Sequence, residues 1–216
     1  VALTRGMSAQ VQPLVDPLSP ISDPGEADTA IFYSITNCQA GLRGVPFGSF
    51  LIKRVAEDLA AEFPRLRKFA TLSPIPGFRS WLKQVGGNPK VAGVLAKLEG
   101  GAWLDDKARA ADLGDELEPL CAYYLTHAKH GREPLDPVAR FHLRNGARLE
   151  RINWLGDTSA LGIERSAGLM VNYVYRLDDV ERNHELYTKQ YKVIASHHID
   201  WLAKRCVLAV EPAGSR

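Results

Sequence analysis

The sequence predicts an α/β fold, a β-sheet flanked by helices and interrupted by a helical insertion, and three observations carry that prediction. A β-branched and aromatic run at 29–35 (TAIFYSI) leads through a glycine-rich loop into an amphipathic helix and then a second short strand, a β-α-β unit. Residues 78–133 read as mainly helical. A short capped helix near Asp136 precedes two further strand-like runs and a helical tail.

Taken in order, residues 1–15 alternate loosely, with Val11 and Leu14 among the apolar positions, and are expected to form a strand. Pro17, Pro20, Pro24 and Gly25 make 16–28 an irregular surface loop. After the strand at 29–35 comes Gln39-Ala40-Gly41-Leu42-Arg43-Gly44-Val45-Pro46-Phe47-Gly48-Ser49. Glycines beside a basic residue, between a strand and a helix, are the arrangement in which backbone N–H groups and a helix N-terminus cradle a phosphate. An ordinary strand-to-helix turn is the competing reading, and Pro46 withdraws one backbone N–H from such a cradle.

From Ser49 the apolar positions Leu51, Ile52, Val55, Leu59 and Phe63 fall on one helical stripe, which Pro64 stops. Residues 67–72 form the next expected strand, which the prolines of Ser73-Pro74-Ile75-Pro76-Gly77 should end sharply. Within 78–133 the clearest helices are 89–98 and 113–125, with Gly86-Gly87 and Gly100-Gly101 as punctuation and Pro119 expected to kink or restart the second.

Asp136-Pro137 starts a helix with an Asp cap and a proline where proline is tolerated. That helix is expected to run through Leu143 and stop at Asn145-Gly146, although Asn-Gly also suits a hairpin turn. Residues 149–154 and 168–177 supply further strands, and about 180–210 is expected to be strongly helical along Leu186, Tyr187, Tyr191, Ile194, Ile199 and Leu202.

Composition bounds the function. The 216 residues are 45% hydrophobic and 24% charged, with a net charge of +2, too small to point to nucleic acid or an anionic membrane. No run approaches the ~18 apolar residues of a membrane span, and the first residues lack a signal-peptide pattern. Three widely spaced cysteines (Cys38, Cys121, Cys206) suit a reducing compartment and offer no zinc-ligand pair. His197-His198 is the one adjacent histidine pair, and adjacent residues point to different helix faces, so no metal site is expected. The chain ends Gly214-Ser215-Arg216, unlike a peroxisomal signal, so a cytoplasmic location is expected with organellar import open.

Two pieces of this layout resemble the GNAT acyltransferase superfamily. The loop from Arg43 to Gly48 is similar, with its glycines displaced, to the loop that binds the coenzyme A pyrophosphate there. Residues 139–147 (ARFHLRNGA) are similar to the superfamily helix A-x-x-F-Y-x-x-x-G-F, with His142 where a thiolate-protonating Tyr often stands. The closer resemblance is to the malonyl-CoA decarboxylase family, which is related to GNAT. It is carried by GLRGVPFGSFLIKRV (41–55), EFPRLRKFATLSPIPGF (62–78), ARFHLRNGARLERINWLGDTS (139–159) and GLMVNYVYRL (168–177), and covers nearly all of 28–177.

This resemblance implies a GNAT-like mixed β-sheet with a helical insertion at about 78–135 and a C-terminal helix at about 180–210 in one catalytic domain. The family's N-terminal helical domain, which serves in oligomerisation, has no counterpart in these residues, so the chain is expected to be the catalytic portion of a homo-oligomer. The substrate implied is malonyl-CoA. The reaction is its decarboxylation to acetyl-CoA and CO2 without metal or organic cofactor, coenzyme A being part of the substrate.

Ser73 would orient the malonyl carboxylate and His142 would protonate the enolate. Arg43, Gly44, Val45, Phe47, Gly48 and Ser49 would bind coenzyme A, and backbone N–H groups near Ser34 and Ile35 would meet the thioester oxygen. Asn172 and Tyr175 would support the site from behind. Plainer readings stand beside these: Ser73 as a turn residue, His142 as a packed core histidine, Arg43 as a solvated charge, and Asn183-His184-Glu185 as a helix start. A coenzyme A-dependent acyltransferase of the same fold, or a non-catalytic acyl-CoA-binding module, are the rival functions.

Overall fold

The computed structural model describes residues 1–20, 23–33 and 47–209, those at 47–50 by their backbone alone. Five strands form one mixed sheet in the order β1-β2-β3-β7-β6, where β1 is Ala2–Thr4, β2 Thr29–Tyr33, β3 Lys68–Pro74, β6 Arg148–Asn153 and β7 Met170–Tyr175. β2 and β3 run parallel, Thr29 opposite Lys68 through Tyr33 opposite Leu72. The connection between them is helix α2 (Phe47–Glu62), the crossover a parallel pair requires. All other neighbours are antiparallel. The mixed α/β sheet flanked by helices is thus present as the sequence predicts.

The sheet's two faces are covered unequally. One face carries Phe69, Val171, Tyr173 and Tyr175 into the large core, where α2 contributes Ile52 and Ala56. The same core takes in α3 (Phe78–Gln84), α4 (Pro89–Glu99) and α5 (Lys107–Thr126). The opposite face buries Ile31, Ala70, Leu72 and Met170 under the N-terminal segment through Ala2, Met7, Val11 and Leu14.

Several boundaries depart from the sequence reading. Residues 1–15 form a strand only at β1; Gly6 turns the chain at φ +77°, and Gln12–Val15 is a single helical turn, α1. β2 is described as far as Tyr33, and the expected strand residues Ser34 and Ile35 lie outside the described residues, so that boundary is no departure. β3 does not stop before the prolines: Ser73 pairs with Val171 and Pro74 with Met170. Proline is tolerated there because it is the last residue of the strand, where its missing N–H breaks no continuing ladder.

Pro119 does not break α5, which runs unbroken for 20 residues. One lost helical hydrogen bond is outweighed by the buried face of Leu113, Leu117, Leu120, Cys121, Tyr124 and Leu125. A two-residue hairpin, β4 (Lys129–His130) with β5 (Glu133–Pro134), closes the stretch that the sequence reads as helical to 133.

The capped helix is α6 (Pro137–Arg144): Asp136 accepts the Ala139 N–H at 2.8 Å, and Gly146 turns the chain out at φ +78°. Asn-Gly is therefore a helix stop and not a hairpin. A helix that the sequence reading lacks, α7 (Ala160–Ser166), is capped by Ser159 and ends at left-handed Ala167. The tail is two helices, α8 (Val180–Gln190) and α9 (His197–Lys204). Tyr191 at φ +56° breaks it, after which Ala195 bridges Leu149 and Ser196 caps α9. Edge pairing with β6 outcompetes a continuous helix there.

Among the described residues no helix is long and apolar enough to cross a membrane. Cys121 and Cys206 are free thiols in buried positions, and Cys38 lies outside the described residues.

Candidate active site

Alternation along β3 puts Thr71 and Ser73 on the same face of the sheet, toward the core that holds α6. His142 lies in the last turn of α6 and reaches the end of β3. Its Nε2 is 3.0 Å from Ser73 Oγ, and its Nδ1 is 2.8 Å from the Tyr175 hydroxyl on β7. The ring lies against Tyr173, centroids 4.5 Å apart and planes 25° from parallel, with Phe141 edge-on at 5.0 Å. Both nitrogens are engaged and one ring face lies on Tyr173, which fixes the orientation of the imidazole.

Ser73 Oγ lies 2.9 Å from Thr71 Oγ1, extending the series to Tyr175–His142–Ser73–Thr71. Ser73 and His142 keep 4% and 2% of their surface, enough burial to make charge expensive. Desolvation lowers the His142 pKa from 6.5 to about 3, so the free protein holds a neutral imidazole at physiological pH. Burial pushes the Tyr175 phenol well above its ordinary value, which keeps that hydroxyl protonated.

Asn172 stands one step back on β7. Its amide donates to the Thr71 carbonyl at 2.7 Å and to Ser8 at 3.1 Å, and its oxygen accepts from Asn153 at 2.8 Å and Arg151 at 3.2 Å. Arg151 also holds the Met7 carbonyl, so the N-terminal strap is tied to the strand beneath the site.

The sequence-derived pair Ser73 and His142 is thus brought together, with Tyr175 in direct contact and Asn172 behind. Phe47, Gly48 and Ser49 form the first turn of α2. Arg43, Gly44, Val45, Ser34 and Ile35 lie outside the described residues. Thr71 and Tyr173 are absent from the sequence reading; their signal was the period of two, each lying two residues before a named site residue on the same strand. A groove of about 350 Å³ along α4 and α5, lined by Val94, Lys97, Glu116, Pro119, Leu120 and Arg205, contains none of these residues. Among the described residues no three His, Cys, Asp or Glu side chains gather as a metal site.

Asp136, the cap of the helix that carries His142, is fully buried with Tyr124 Oη 3.5 Å from its carboxylate. Burial raises its pKa from 3.8 to about 6 against the opposing help of the Ala139 and Val138 N–H groups. The folded state therefore holds this proton more tightly than the unfolded chain. The resulting stabilisation is full below pH 3.8 and is lost as pH rises through about 6, a loss of about 3 kcal/mol. Asp136→Asn keeps the cap but cannot ionise.

The variant is expected to be more stable than wild type by about 1–3 kcal/mol at pH 8, a difference that shrinks to nothing by about pH 4. His142, depressed in the folded state, gives the opposite slope below 6.5, but it is common to both proteins and cancels in the difference. Denaturant midpoints against pH measure it; a pH-independent difference would show that Asp136 does not titrate anomalously.

The family model for the malonyl-CoA decarboxylase C-terminal domain matches residues 1–211. The mitochondrial malonyl-CoA decarboxylases of Rattus norvegicus and Anser anser anser are each 39% identical over 92% of the chain, which covers 46% and 45% of their lengths. Among solved structures, malonyl-CoA decarboxylase from Rhodopseudomonas palustris superposes with a TM-score of 0.88 at 44% identity, covering 93% of this chain and 48% of that one. The Agrobacterium vitis enzyme gives 0.85 at 45% identity, with 93% and 51% covered. The chain spans about half the length of the relatives it matches.

Proposed function

Since the chain belongs to the malonyl-CoA decarboxylase family, we propose that it carries the chemistry of converting malonyl-CoA to acetyl-CoA and CO2. The observation that supports this most is the buried Ser73–His142 contact at 3.0 Å with Tyr175 on the far ring nitrogen.

The chemistry asks for three things. The carboxylate must lie perpendicular to the thioester plane, so that the electrons of the breaking C–C bond enter the thioester carbonyl. The enolate oxygen needs donors. The α-carbon needs one proton, since an anionic carboxylate departs as neutral CO2. The thioester is itself the electron sink, and no metal or organic cofactor is part of the proposal.

Ser73 donates to the carboxylate and sets its plane. His142, neutral in the free protein, takes up a proton when the anionic carboxylate arrives beside it, because an adjacent negative charge favours the imidazolium. After CO2 leaves, Nε2–H passes that proton to the α-carbon, with Tyr175 holding Nδ1 and the ring plane fixed against Tyr173. Backbone N–H groups near Ser34 and Ile35 stabilise the enolate oxygen in this reading; one such donor is worth about 3 kcal/mol.

Arg43, Gly44 and Val45, with Phe47, Gly48 and Ser49 at the start of 16-residue α2, meet the coenzyme A phosphates, where the helix N-terminus favours anions. Free Cys121 and Cys206 support a reducing compartment, the cytoplasm or, after the names of the relatives, a mitochondrion. Homo-oligomerisation through the family's N-terminal helical domain belongs to the same proposal.

Product analysis tests it. With malonyl-CoA alone, without added metal or acyl acceptor, CO2 and acetyl-CoA should form in equal amounts. Malonyl transfer that requires an amine or other acceptor would make this an acyltransferase instead. Tight binding of malonyl-CoA without any product would make it a binding module.

A further inference from the structure

The end of the sheet away from Ser73 carries charge that the fold does not neutralise. β3 and β7 are antiparallel with Phe69 opposite Tyr175, so the next step of that register sets Lys68 across from Arg176. Like charges directly opposite on neighbouring strands are destabilising. Arg67 precedes Lys68, and Arg148 stands at the start of β6, opposite Val174. These four cations line one cleft of about 180 Å³. Glu150 is the one acid among the described lining residues, and Met7 of the N-terminal strap forms part of the wall.

The acids nearby already have partners. Glu150 Oε2 accepts the Arg148 Nε–H at 2.6 Å and also meets Arg148 Nη2, which leaves that pair neutral. Asp28 Oδ1 accepts the Thr29 hydroxyl at 2.6 Å and the Gly6 N–H at 2.7 Å. Those two bonds, with Lys68 and Arg65 at longer range, hold the Asp28 pKa low. Arg67, Lys68 and Arg176 are exposed and form no ion pair among the described residues. The walls are fixed in advance, because Arg148 is held by Glu150 and the Met7 carbonyl accepts Arg151 Nη2 at 2.8 Å.

We propose that this cleft binds a small dianion of the phosphate class, free or as a monoester. Uncompensated cations at the ends of two strands suit a group with double charge and several oxygens, which guanidinium forks meet bidentately. The cleft is smaller than the ~300 Å³ at which pockets for larger organic ligands begin, so the phosphate group itself is what it holds. Lys68 and Ser73 stand five residues apart on β3, about 16 Å, and alternation puts their side chains on opposite faces. The cleft is therefore separate from the Ser73–His142 contact, and its occupant does not depend on the decarboxylase reading.

Thermal melts near pH 7.5 read the binding, with sodium chloride matching the ionic strength. Phosphate at about 10 mM should raise the wild-type Tm by about 2–5 °C over chloride, since a ligand of the folded state alone stabilises that state. Lys68→Gln/Arg176→Gln removes two exposed side chains that make no ion pair, so its Tm in chloride should stay within about 2 °C of wild type. Its phosphate affinity by titration calorimetry should fall about 10-fold or more, as the loss of charged hydrogen-bond donors costs. Arg67→Gln should weaken phosphate by about 3- to 10-fold, and it decides the matter if the double variant does not fold.

Glycerol phosphate that matches inorganic phosphate identifies a monoester as the occupant, and a response to inorganic phosphate alone identifies the free ion. No wild-type rise beyond chloride, a rise that survives in the variants, or a larger rise with malonate, a dianion of two carboxylates, overturns the proposal.

Discussion

His142→Asn lowers CO2 release from malonyl-CoA by about 100-fold or more, the low end of what a general acid contributes, while the protein stays folded and still binds the substrate. Such a loss corresponds to about 2.7 kcal/mol of transition-state stabilisation. Asparagine leaves a polar group between Ser73 and Tyr175, so the hydroxyls that flank the ring are not both stranded.

The variant also loses a second property. A carboxylate placed beside the neutral imidazole raises its proton affinity, so wild-type protein should take up a fraction of a proton on binding a malonyl thioester analogue that cannot decarboxylate, a fraction that grows as pH falls from 7.5 toward 6, and the variant none. Calorimetry in buffers of different ionisation enthalpy reads this directly. A folded variant within about threefold of the wild-type rate would remove His142 from the proton transfer.

Gly146→Ala has the largest expected effect on stability. Gly146 sits at φ +78°, and a Cβ there would meet the Val180 carbonyl oxygen at 2.1 Å and its carbon at 2.8 Å. Both are backbone atoms at the start of α8, so no rotamer change relieves the clash. Left-handed strain adds about 1–2 kcal/mol for a residue with a side chain. The whole loss should reach about 3 kcal/mol or more and lower Tm by roughly 10 °C. α6 would be pushed off α8, where Asn183 Nδ2 donates to the Gly146 carbonyl at 3.2 Å, and His142 is carried on that helix. Thermal melts check this; a drop under about 2 °C would mean the two helices separate without cost.

The parts legible in the sequence are those with local causes. Asp136-Pro137 and Asn145-Gly146 state the two ends of α6 through capping chemistry, and both ends are where that chemistry puts them. The β-α-β unit was readable because periodicity changes from two to 3.6 and back within β2, α2 and β3. What stayed hidden depends on partners distant in sequence. Tyr191 breaks the tail with no glycine or proline to announce it, because Leu149 offers the following segment an edge to join. Pro119 stays inside α5 because the buried face of that helix outweighs one missing bond.

The site divides in the same way. Ser73 and His142 were named through resemblance, since a serine before a proline and a lone histidine carry little signal of their own. Their meeting requires β3 and α6, 69 residues apart, to be folded against each other. Thr71 and Tyr173 lie within reach of strand alternation, but their contacts with Ser73 and with the His142 ring exist only once β3, β7 and α6 are folded together.

CO2 release from malonyl-CoA by wild type, Ser73→Ala, His142→Asn and the double variant tests the account most directly. Groups that act as one unit are strongly non-additive, so each single change should cost about 100-fold or more and the double about as much as the worse single. A wild type that binds malonyl-CoA but releases no CO2, or single losses that simply multiply in the double, would contradict a Ser73–His142 unit that decarboxylates malonyl-CoA.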